Sequence, residues 1–277
     1  RIVFGMRDIL DAPERVVSEW KKKNYESFLS QHYDDIWVYG DPNVYDPIAE
    51  YGIEGLRDKV QYMGYLDQRA RLQYAVPLEL ATRKAVGQLD RTTLCMVGGG
   101  HDGATLAQAF ATASFPPGKR GLLITGPLMP QAHVESLMSI ASRRDDLTVL
   151  RQVRDADLIM HEVDRVICMG GYNTLLSVVS FGKTALVVPR NFPRKEQEIR
   201  ARRFAQLGLI DTCAMADLDS QALSHWMLKR PRPNSFQHPL DLKGLDRIAE
   251  SICAKKTDTK RSRSHLNGID VTDAEAS

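Results

Sequence analysis

The sequence predicts an α/β fold built from parallel sheets in two domains. Short apolar runs with the character of buried strands alternate with amphipathic segments along most of the 277 residues. Such alternation is typical of strand–helix–strand units, whose strands are parallel. The pattern loosens between residues 67 and 91, where charged residues and Pro77 interrupt the apolar rhythm. We therefore place a linker between two domains in that segment.

The composition bounds the class of protein before any motif is considered. Hydrophobic residues make up 43% and charged residues 26% of the chain, as in ordinary globular proteins. The formal net charge of +2 is too small to predict a nucleic-acid partner. No apolar run approaches the length of a transmembrane helix. The cysteines form no Cys-x-x-Cys pair, which predicts reduced thiols and a cytoplasmic protein.

Residues 1–66 are predicted to belong to the first domain. Strands are predicted at residues 2–5, 36–40 and, at the edge of the sheet, 60–66. Asp11 is predicted to cap the first helix, with Pro13 in its first turn. Because the chain begins inside a predicted strand, we expect it to be the C-terminal part of a longer protein.

Residues 92–253 are predicted to form a second α/β domain. Its strands are predicted at residues 93–97, 121–125, 147–150, 166–169 and 184–188. Its helices are predicted at residues 104–113, around 134–140, and at 155–161, 175–181, 196–207, 220–228 and 245–253. The helix at 175–181 should end at Gly182. Residues 254–277 are charged and rich in Ser and Thr, which predicts a disordered tail.

Two glycine-containing loops follow predicted strands of the second domain. The first spans residues 98–103, the second contains Gly170 and Gly171, and each precedes a predicted helix. Glycine lets the backbone approach a ligand closely, and a helix start presents free N–H groups that suit phosphate. Since both loops lie at carboxyl ends of parallel strands, one diphosphate could bridge them. Tight helix–strand packing is the alternative explanation for either loop alone.

The helix predicted at 196–207 begins beside these loops. Glu196 and Gln197 in its first turn could hydrogen-bond sugar hydroxyls. Arg190 and Arg194, in the preceding loop, could offset phosphate charge. A solvated helix start is the alternative, because the helix dipole favours Glu there in any case.

No metal site is predicted. The chain has two Asp-x-Asp strings, at 155–157 and 217–219, and each precedes a predicted helix. Asp at such positions is a common helix cap, so we assign these carboxylates to capping. Among the histidines, His101 stands inside the first glycine loop, where it could contact a ligand.

Longer strings in both domains resemble a known enzyme family. Four of them are similar to the C-terminal donor domain of family 28 glycosyltransferases: CMGGYNT (168–174), SFGKTALVVPR (180–190), EQ (196–197) and RA (200–201). This family includes the N-acetylglucosaminyltransferase of peptidoglycan-precursor synthesis. Four more resemble a branch described as predicted glycosyltransferases: MRDILD (6–11), VYGD (38–41), MGY (63–65) and ITGP (124–127). The resemblance implies a GT-B fold of two Rossmann-like parallel-sheet domains, the N-terminal one incomplete in this chain.

The resemblance also implies roles for individual residues. A UDP-sugar would be the donor substrate, and neither a metal nor another cofactor would be needed. The donor diphosphate would bind at Gly98, Gly99, Gly100, His101, Asp102, Gly103, Gly170, Gly171, Asn173 and Thr174. The backbone near Val153 would contact the base, and Glu196 and Gln197 would reach the donor sugar.

Ser177 is a departure from the family pattern. Family members carry a ribose-binding Glu on the helix after the two glycines, and the equivalent place here is Ser177. A Ser hydroxyl can still bond a ribose hydroxyl, but the bidentate contact of a carboxylate is lost. The departure predicts weaker ribose binding.

Asp8 is the catalytic candidate within this chain. It follows the first predicted strand, at the end where side chains of a parallel sheet line the ligand crevice. A carboxylate there could orient the acceptor hydroxyl or share in taking its proton. A structural ion pair with neighbouring Arg7 is the alternative. The resemblance implies that the main catalytic base lies earlier in the N-terminal domain.

The leading interpretation is a hexosyltransferase that uses a UDP-sugar. The acceptor is open between a saccharide, a lipid-linked molecule and a small molecule. A nucleotide-sugar hydrolase or epimerase on the same fold is one alternative, and a non-catalytic nucleotide-sugar-binding module is another. A cytoplasmic location is expected, and peripheral contact with the inner face of the membrane is compatible with it.

Overall fold

A three-stranded parallel sheet forms the first part of the structure. The computed structural model describes residues 1–230 and 240–253. The N-terminal unit, residues 1–66, contains strands β1 (Val3–Arg7), β2 (Asp35–Tyr39) and β3 (Val60–Tyr62), in that spatial order. Its helices are α1 (Pro13–Lys23), α2 (Tyr25–His32) and α3 (Pro47–Tyr51). The third strand lies at the edge, as predicted, and is shorter than predicted.

The segment between the two sheets contains short helices. A 3-10 helix covers Gln68–Tyr74, α4 covers Leu80–Val86, and a second 3-10 helix covers Leu89–Arg91. The backbone N–H of Gln68 donates to Ser180 Oγ at 3.0 Å. The start of the proposed linker, residues 67–91, therefore packs against the helix that contains Ser180.

A six-stranded parallel sheet organises the C-terminal unit, residues 92–230. Its strands are β4 (Thr92–Met96), β5 (Arg120–Ile124), β6 (Leu147–Leu150), β7 (Arg165–Cys168), β8 (Thr184–Val187) and β9 (Asp211–Thr212). Their spatial order is β6-β5-β4-β7-β8-β9, and every neighbouring pair is parallel. The predicted parallel α/β architecture is confirmed. The two-residue strand β9 was too short to leave a periodic signal in the sequence.

Helices cover both faces of this sheet. They are α5 (Ala104–Thr112), α6 (Gln131–Ala141), α7 (Ala156–Glu162), α8 (Tyr172–Ser180), α9 (Glu196–Gln206) and α10 (Ser220–Leu228). Side chains of α7, α8 and α9 share one core cluster, and side chains of α5, α6 and α10 share the other. Adjacent residues of β7 alternate between them, Val166 with the first and Ile167 with the second. Each fully buried aliphatic side chain stabilises the fold by about 1.5–3 kcal/mol.

Helix α8 begins earlier than the sequence pattern predicts. The prediction started it at Leu175, whereas its first residue is Tyr172 and Gly171 is its N-cap. The ring of Tyr172 is buried, and its hydroxyl donates to the Tyr39 carbonyl at 2.9 Å. Packing against the N-terminal unit thus favours helical backbone at a residue that directly follows two glycines. After the helix, Gly182 adopts a φ of 62°, as predicted for its end.

Asp11 does not cap α1, contrary to the prediction. The N-cap is Ala12, and no side chain bonds the free N–H groups of the helix. Asp11 Oδ1 instead accepts from the backbone N–H of Lys195 at 2.7 Å, and Oδ2 lies 3.3 Å from Arg15 Nε. The carboxylate therefore connects the N-terminal unit to the loop after β8.

The final described helix returns to the N-terminal unit. Helix α11 spans residues 244–253. The N–H of Tyr65 donates to the Asp241 carbonyl at 2.7 Å, and the N–H of Gly244 donates to the Tyr65 carbonyl at 3.1 Å. Among residues 1–230 and 240–253, no helix has the length and apolar character to cross a bilayer. The predicted tail, residues 254–277, lies outside the described residues.

A buried ion pair joins the two units. Arg200 of α9 donates to Asp8 Oδ1 at 2.8 Å, and both side chains are almost fully buried. Tyr65 donates its hydroxyl to the other carboxylate oxygen at 2.8 Å. Burial alone would lower the pKa of Arg200, but the Asp8 carboxylate raises it above its usual value. Burial and the same carboxylate raise the pKa of Tyr65 well above 10.0.

We expect Asp8→Asn to destabilise the protein by about 3–5 kcal/mol, because it leaves the Arg200 charge buried without its partner. Chemical denaturation measures this loss. Glu50→Gln is the matched control, since Glu50 forms an exposed ion pair with Arg203 of α9 at the same 2.8 Å. The Glu50→Gln substitution should lower the free energy of unfolding by no more than about 1 kcal/mol. Equal losses for the two variants would contradict the prediction.

Candidate functional site

A cavity lies at the carboxyl ends of three neighbouring strands of the larger sheet. It encloses about 180 Å³. The end of β4 and the loop after it contribute residues 96–102, the turn after β7 and the first turn of α8 contribute Met169, Gly171 and Thr174, and the segment after β8 contributes Arg190 and Gln197. The two predicted glycine loops therefore line one cavity.

Two helix starts flank this cavity. Gly103 is the N-cap of α5 and Gly171 is the N-cap of α8, and neither helix has a side-chain hydrogen bond at its cap. The first N–H groups of a helix have no partner within the helix, and its N-terminus carries partial positive charge. The cavity is therefore suited to an anion with several oxygen acceptors.

The two glycines before α8 have different roles. A Cβ atom on Gly171 would meet no atom within 4 Å, and its backbone needs no unusual conformation. Gly170 has a φ of 82°, and its Cβ would lie 2.7 Å from Val187 Cγ1. The open space at Gly171 belongs to the cavity, whereas Gly170 is required for the turn itself.

We expect Gly171→Val to keep the fold and to lose binding of inorganic pyrophosphate, because the valine would fill the space before α8. The loss of stability should not exceed about 1 kcal/mol, the usual effect of a poorer cap. Calorimetric titration with pyrophosphate and a denaturation curve give the two quantities.

Gly170→Val is the matched substitution one residue earlier. It should destabilise the fold by about 2–4 kcal/mol, because positive φ and the clash with Val187 both oppose it. Gly170 therefore does not tolerate a bulky residue, although it is adjacent to Gly171. Normal pyrophosphate binding by Gly171→Val would contradict an anion site at the start of α8.

The predicted phosphate-binding arginine is held by three side chains of the same unit. Arg190 lies 3.1 Å from Asp102 and 3.0 Å from Glu196. With its amide oriented to satisfy both ends, Gln197 accepts from Arg190 Nε at 2.9 Å and donates to the Met169 carbonyl at 2.7 Å. The charge of Arg190 is therefore balanced by carboxylates before any anion binds.

Several predicted site residues lie outside the cavity lining. Arg194 is exposed and 3.9 Å from Glu19. Val153 is partly buried and packs against a core cluster. Ser177 is buried, and its hydroxyl bonds Asp157 Oδ1 at 2.8 Å. The predicted ribose-binding hydroxyl thus faces α7.

Asp8 has no solvent-exposed surface, and its two oxygens accept from Arg200 and from Tyr65. A group that takes a proton from a substrate hydroxyl must reach that hydroxyl. The burial and the two partners favour the structural alternative over direct contact with a substrate. The partner, however, is Arg200, whereas the sequence suggested Arg7.

Some features of the cavity were not predicted from the sequence. Met96 and Met169 line it because they end β4 and follow β7, beside the glycines. Their position at the ends of apolar strands, next to the glycine loops, could have predicted that they line the cavity. The Asp102–Arg190 contact joins residues that are 88 positions apart, which no local pattern reveals. Among residues 1–230 and 240–253, no group of three His, Cys, Asp or Glu side chains could hold a metal.

Comparison with known proteins gives one family match. The model described as the glycosyltransferase family 28 C-terminal domain matches residues 93–239, which is more than half of the chain. The matched range contains the larger sheet from Thr93 onward and every residue that lines the cavity. No curated protein matches the chain.

Solved glycosyltransferase structures resemble the chain in fold. The glycotransferase of kitacinnamycin has a TM-score of 0.51 and 13% identity, over 79% of this chain and 58% of that one. The calicheamicin glycosyltransferase CalG4 has a TM-score of 0.49 and 12% identity, over 76% and 50%. MurG of Acinetobacter baumannii has a TM-score of 0.45 and 17% identity, over 78% and 70%.

The chain spans between 50% and 58% of the length of the first two structures. At 13% identity, the likeness to the first of them is a likeness of fold. Two Rossmann-like parallel-sheet units in the GT-B arrangement, as expected from the sequence, account for it.

Proposed function

The chain belongs to the family 28 glycosyltransferases, and we propose that it transfers a sugar from a nucleoside diphosphate donor to an acceptor hydroxyl. UDP is the nucleotide that we propose, and the sugar is a hexose. The acceptor is a saccharide, a lipid-linked molecule or a small molecule. We propose a cytoplasmic enzyme, in peripheral contact with the inner face of the membrane if the acceptor is lipid-linked.

The pair of helix starts at one cavity is the observation that carries this proposal. The uncapped starts of α5 and α8 both adjoin the cavity, and Gly171 leaves room for a ligand to approach the backbone. Two adjacent phosphates carry the charge and the oxygen acceptors that free N–H groups at helix starts bind. The proposed diphosphate contacts are the main chain of residues 98–103 and 170–174.

The same arrangement supports departure of the diphosphate. When the bond between the sugar and the distal phosphate breaks, its electron pair stays on the phosphate oxygen, which gains a negative charge. Fixed N–H groups directed at that oxygen stabilise the charge as it develops. The acceptor oxygen forms the new bond to the sugar, and its proton passes to a base. We propose that the N–H groups of the two helix starts, together with Arg190, stabilise the charge on the departing diphosphate without a metal.

Glu196 and Gln197 are the proposed contacts to the donor sugar. Glu196 Oε2 is buried and has no hydrogen-bond partner among the described residues. Gln197 lines the cavity between Met169 and Arg190. A sugar hydroxyl that reached Glu196 would satisfy its free oxygen.

A non-catalytic nucleotide-sugar-binding module is the second candidate. The observation that favours it is Ser177, whose hydroxyl bonds Asp157 and which does not line the cavity. The two functions differ in turnover, because a module would bind a nucleotide sugar and leave it unchanged.

We expect the protein to bind UDP in the presence of EDTA, because main-chain N–H groups would hold the diphosphate. UMP should bind at least about tenfold more weakly, since it lacks the second charged phosphate. Calorimetry measures both preferences. UDP compared with UMP reports the contribution of the second phosphate, and UDP compared with dTDP and GDP reports the preference for the nucleoside. Binding that appears only with Mg²⁺ or Mn²⁺ would contradict the metal-independent proposal.

A panel of nucleotide sugars then distinguishes the activities. Product that forms only when an acceptor is present indicates a transferase, whereas free sugar in water indicates a hydrolase. Binding without either product supports the module.

We also expect Asp102→Asn to strengthen UDP binding. In the structure Asp102 holds Arg190 and places a negative charge at the cavity, so an incoming diphosphate must displace it. Its loss should increase affinity about fivefold, the effect of one exposed ion pair. Asp145→Asn, an exposed carboxylate of the same unit, is the control for overall charge. Weaker binding by Asp102→Asn would mean that Asp102 supports the bound state.

A further inference from the structure

Tyr172 connects the start of α8 to the end of β1. It is the first residue of the helix and lies between Gly171 and Thr174, which both line the cavity. The guanidinium carbon of Arg7 lies 5.1 Å from the centre of its ring. That of Arg200 lies 5.2 Å from the same centre. Two cations of opposite units therefore converge on the residue that begins the anion-binding helix.

The two cations differ in their charge balance. Arg200 is buried and paired with Asp8 at 2.8 Å. Arg7 is exposed, and within residues 1–230 and 240–253 no carboxylate lies at ion-pair distance from it. One uncompensated positive charge thus remains beside the N-terminus of α8. A helix N-terminus is itself positive, so a cation there is unfavourable unless an anion lies between them.

Arg7 belongs to a different unit from the other charged groups of the site. The glycine loops and Arg190 belong to the C-terminal unit, whereas Arg7 is the last residue of β1 in the N-terminal unit. Arg190 is already held by Asp102 and Glu196. The guanidinium of Arg190 is therefore already engaged when a diphosphate reaches the helix starts, whereas that of Arg7 has no carboxylate partner among residues 1–230 and 240–253.

We infer that Arg7 contacts the distal phosphate of the donor, the one bonded to the sugar, from the N-terminal unit. This inference rests on the proposed function. Its guanidinium would donate to the phosphate oxygen that keeps the electron pair when the bond to the sugar breaks. Arginine is suited to this contact, since its planar fork of donors matches two phosphate oxygens. Tyr172 would hold the guanidinium in place through its ring.

Arg7→Gln and Arg7→Lys in the full chain test this inference by calorimetry with UDP and UMP. For Arg7→Gln we expect UDP affinity to fall at least about tenfold, the effect of one charged hydrogen bond to phosphate. UMP affinity should change less than about twofold, because UMP has no distal phosphate. Arg7→Lys keeps the positive charge but loses the planar pair of donors. Its UDP affinity should lie between those of the wild type and Arg7→Gln.

Lys22→Gln is the control, because it removes an exposed positive charge from α1 of the same unit. It should leave both affinities unchanged. Equal losses for UDP and UMP in Arg7→Gln, or an equal loss in Lys22→Gln, would overturn the inference. So would unchanged UDP affinity, or failure of both Arg7 variants to fold as followed by thermal melting. If wild-type protein binds none of UDP, dTDP and GDP, the proposed function fails together with this inference. If the wild-type protein binds UDP and Arg7→Gln binds it equally well, the inference fails and the proposed function stands.

Discussion

The buried contact between Asp8 and Arg200 determines how the two sheets are placed. It joins the end of β1 to α9 in a region without solvent, where neither charge is stable alone. Arg200 lies one turn after Glu196 and also contacts its carbonyl oxygen at 3.5 Å. The ion pair therefore holds α9, whose first turn contributes Gln197 to the cavity, against the N-terminal unit. The Asp8–Arg200 pair does not line the cavity itself, but it positions the helix whose first turn does.

Main-chain groups rather than side-chain charges provide the positive potential of the cavity. Arg190 lines the cavity, and its charge is balanced by Asp102 of the loop after β4 and by Glu196, the first residue of α9. The free N–H groups at the starts of α5 and α8 have no such partner. Main-chain dipoles are fixed by the fold and need no rearrangement when charge develops on a ligand. The parallel sheet creates this site, because it directs each strand-to-helix turn to the same edge.

The sequence revealed what depends on local pattern. The strand β6 and the two glycine loops were predicted at their observed positions, since apolar runs and glycines are local signals. The partner of Asp8 was not, because Arg200 is 192 residues away and lies on a polar stretch of α9. The start of α8 was missed for a related reason: Tyr172 is helical through its packing on the other unit. Both features depend on contacts between the two units, which a local sequence pattern does not contain.

The difference between Gly170 and Gly171 bears on how this site could change in evolution. Position 170 is constrained by backbone conformation and by Val187, whether or not a ligand binds. Position 171 has open space, so the fold alone would accept a side chain there. In a descendant that no longer bound an anion, selection would continue to retain the first glycine and would release the second. The residue at 171 is therefore the better marker of the proposed anion binding, although the two glycines are adjacent.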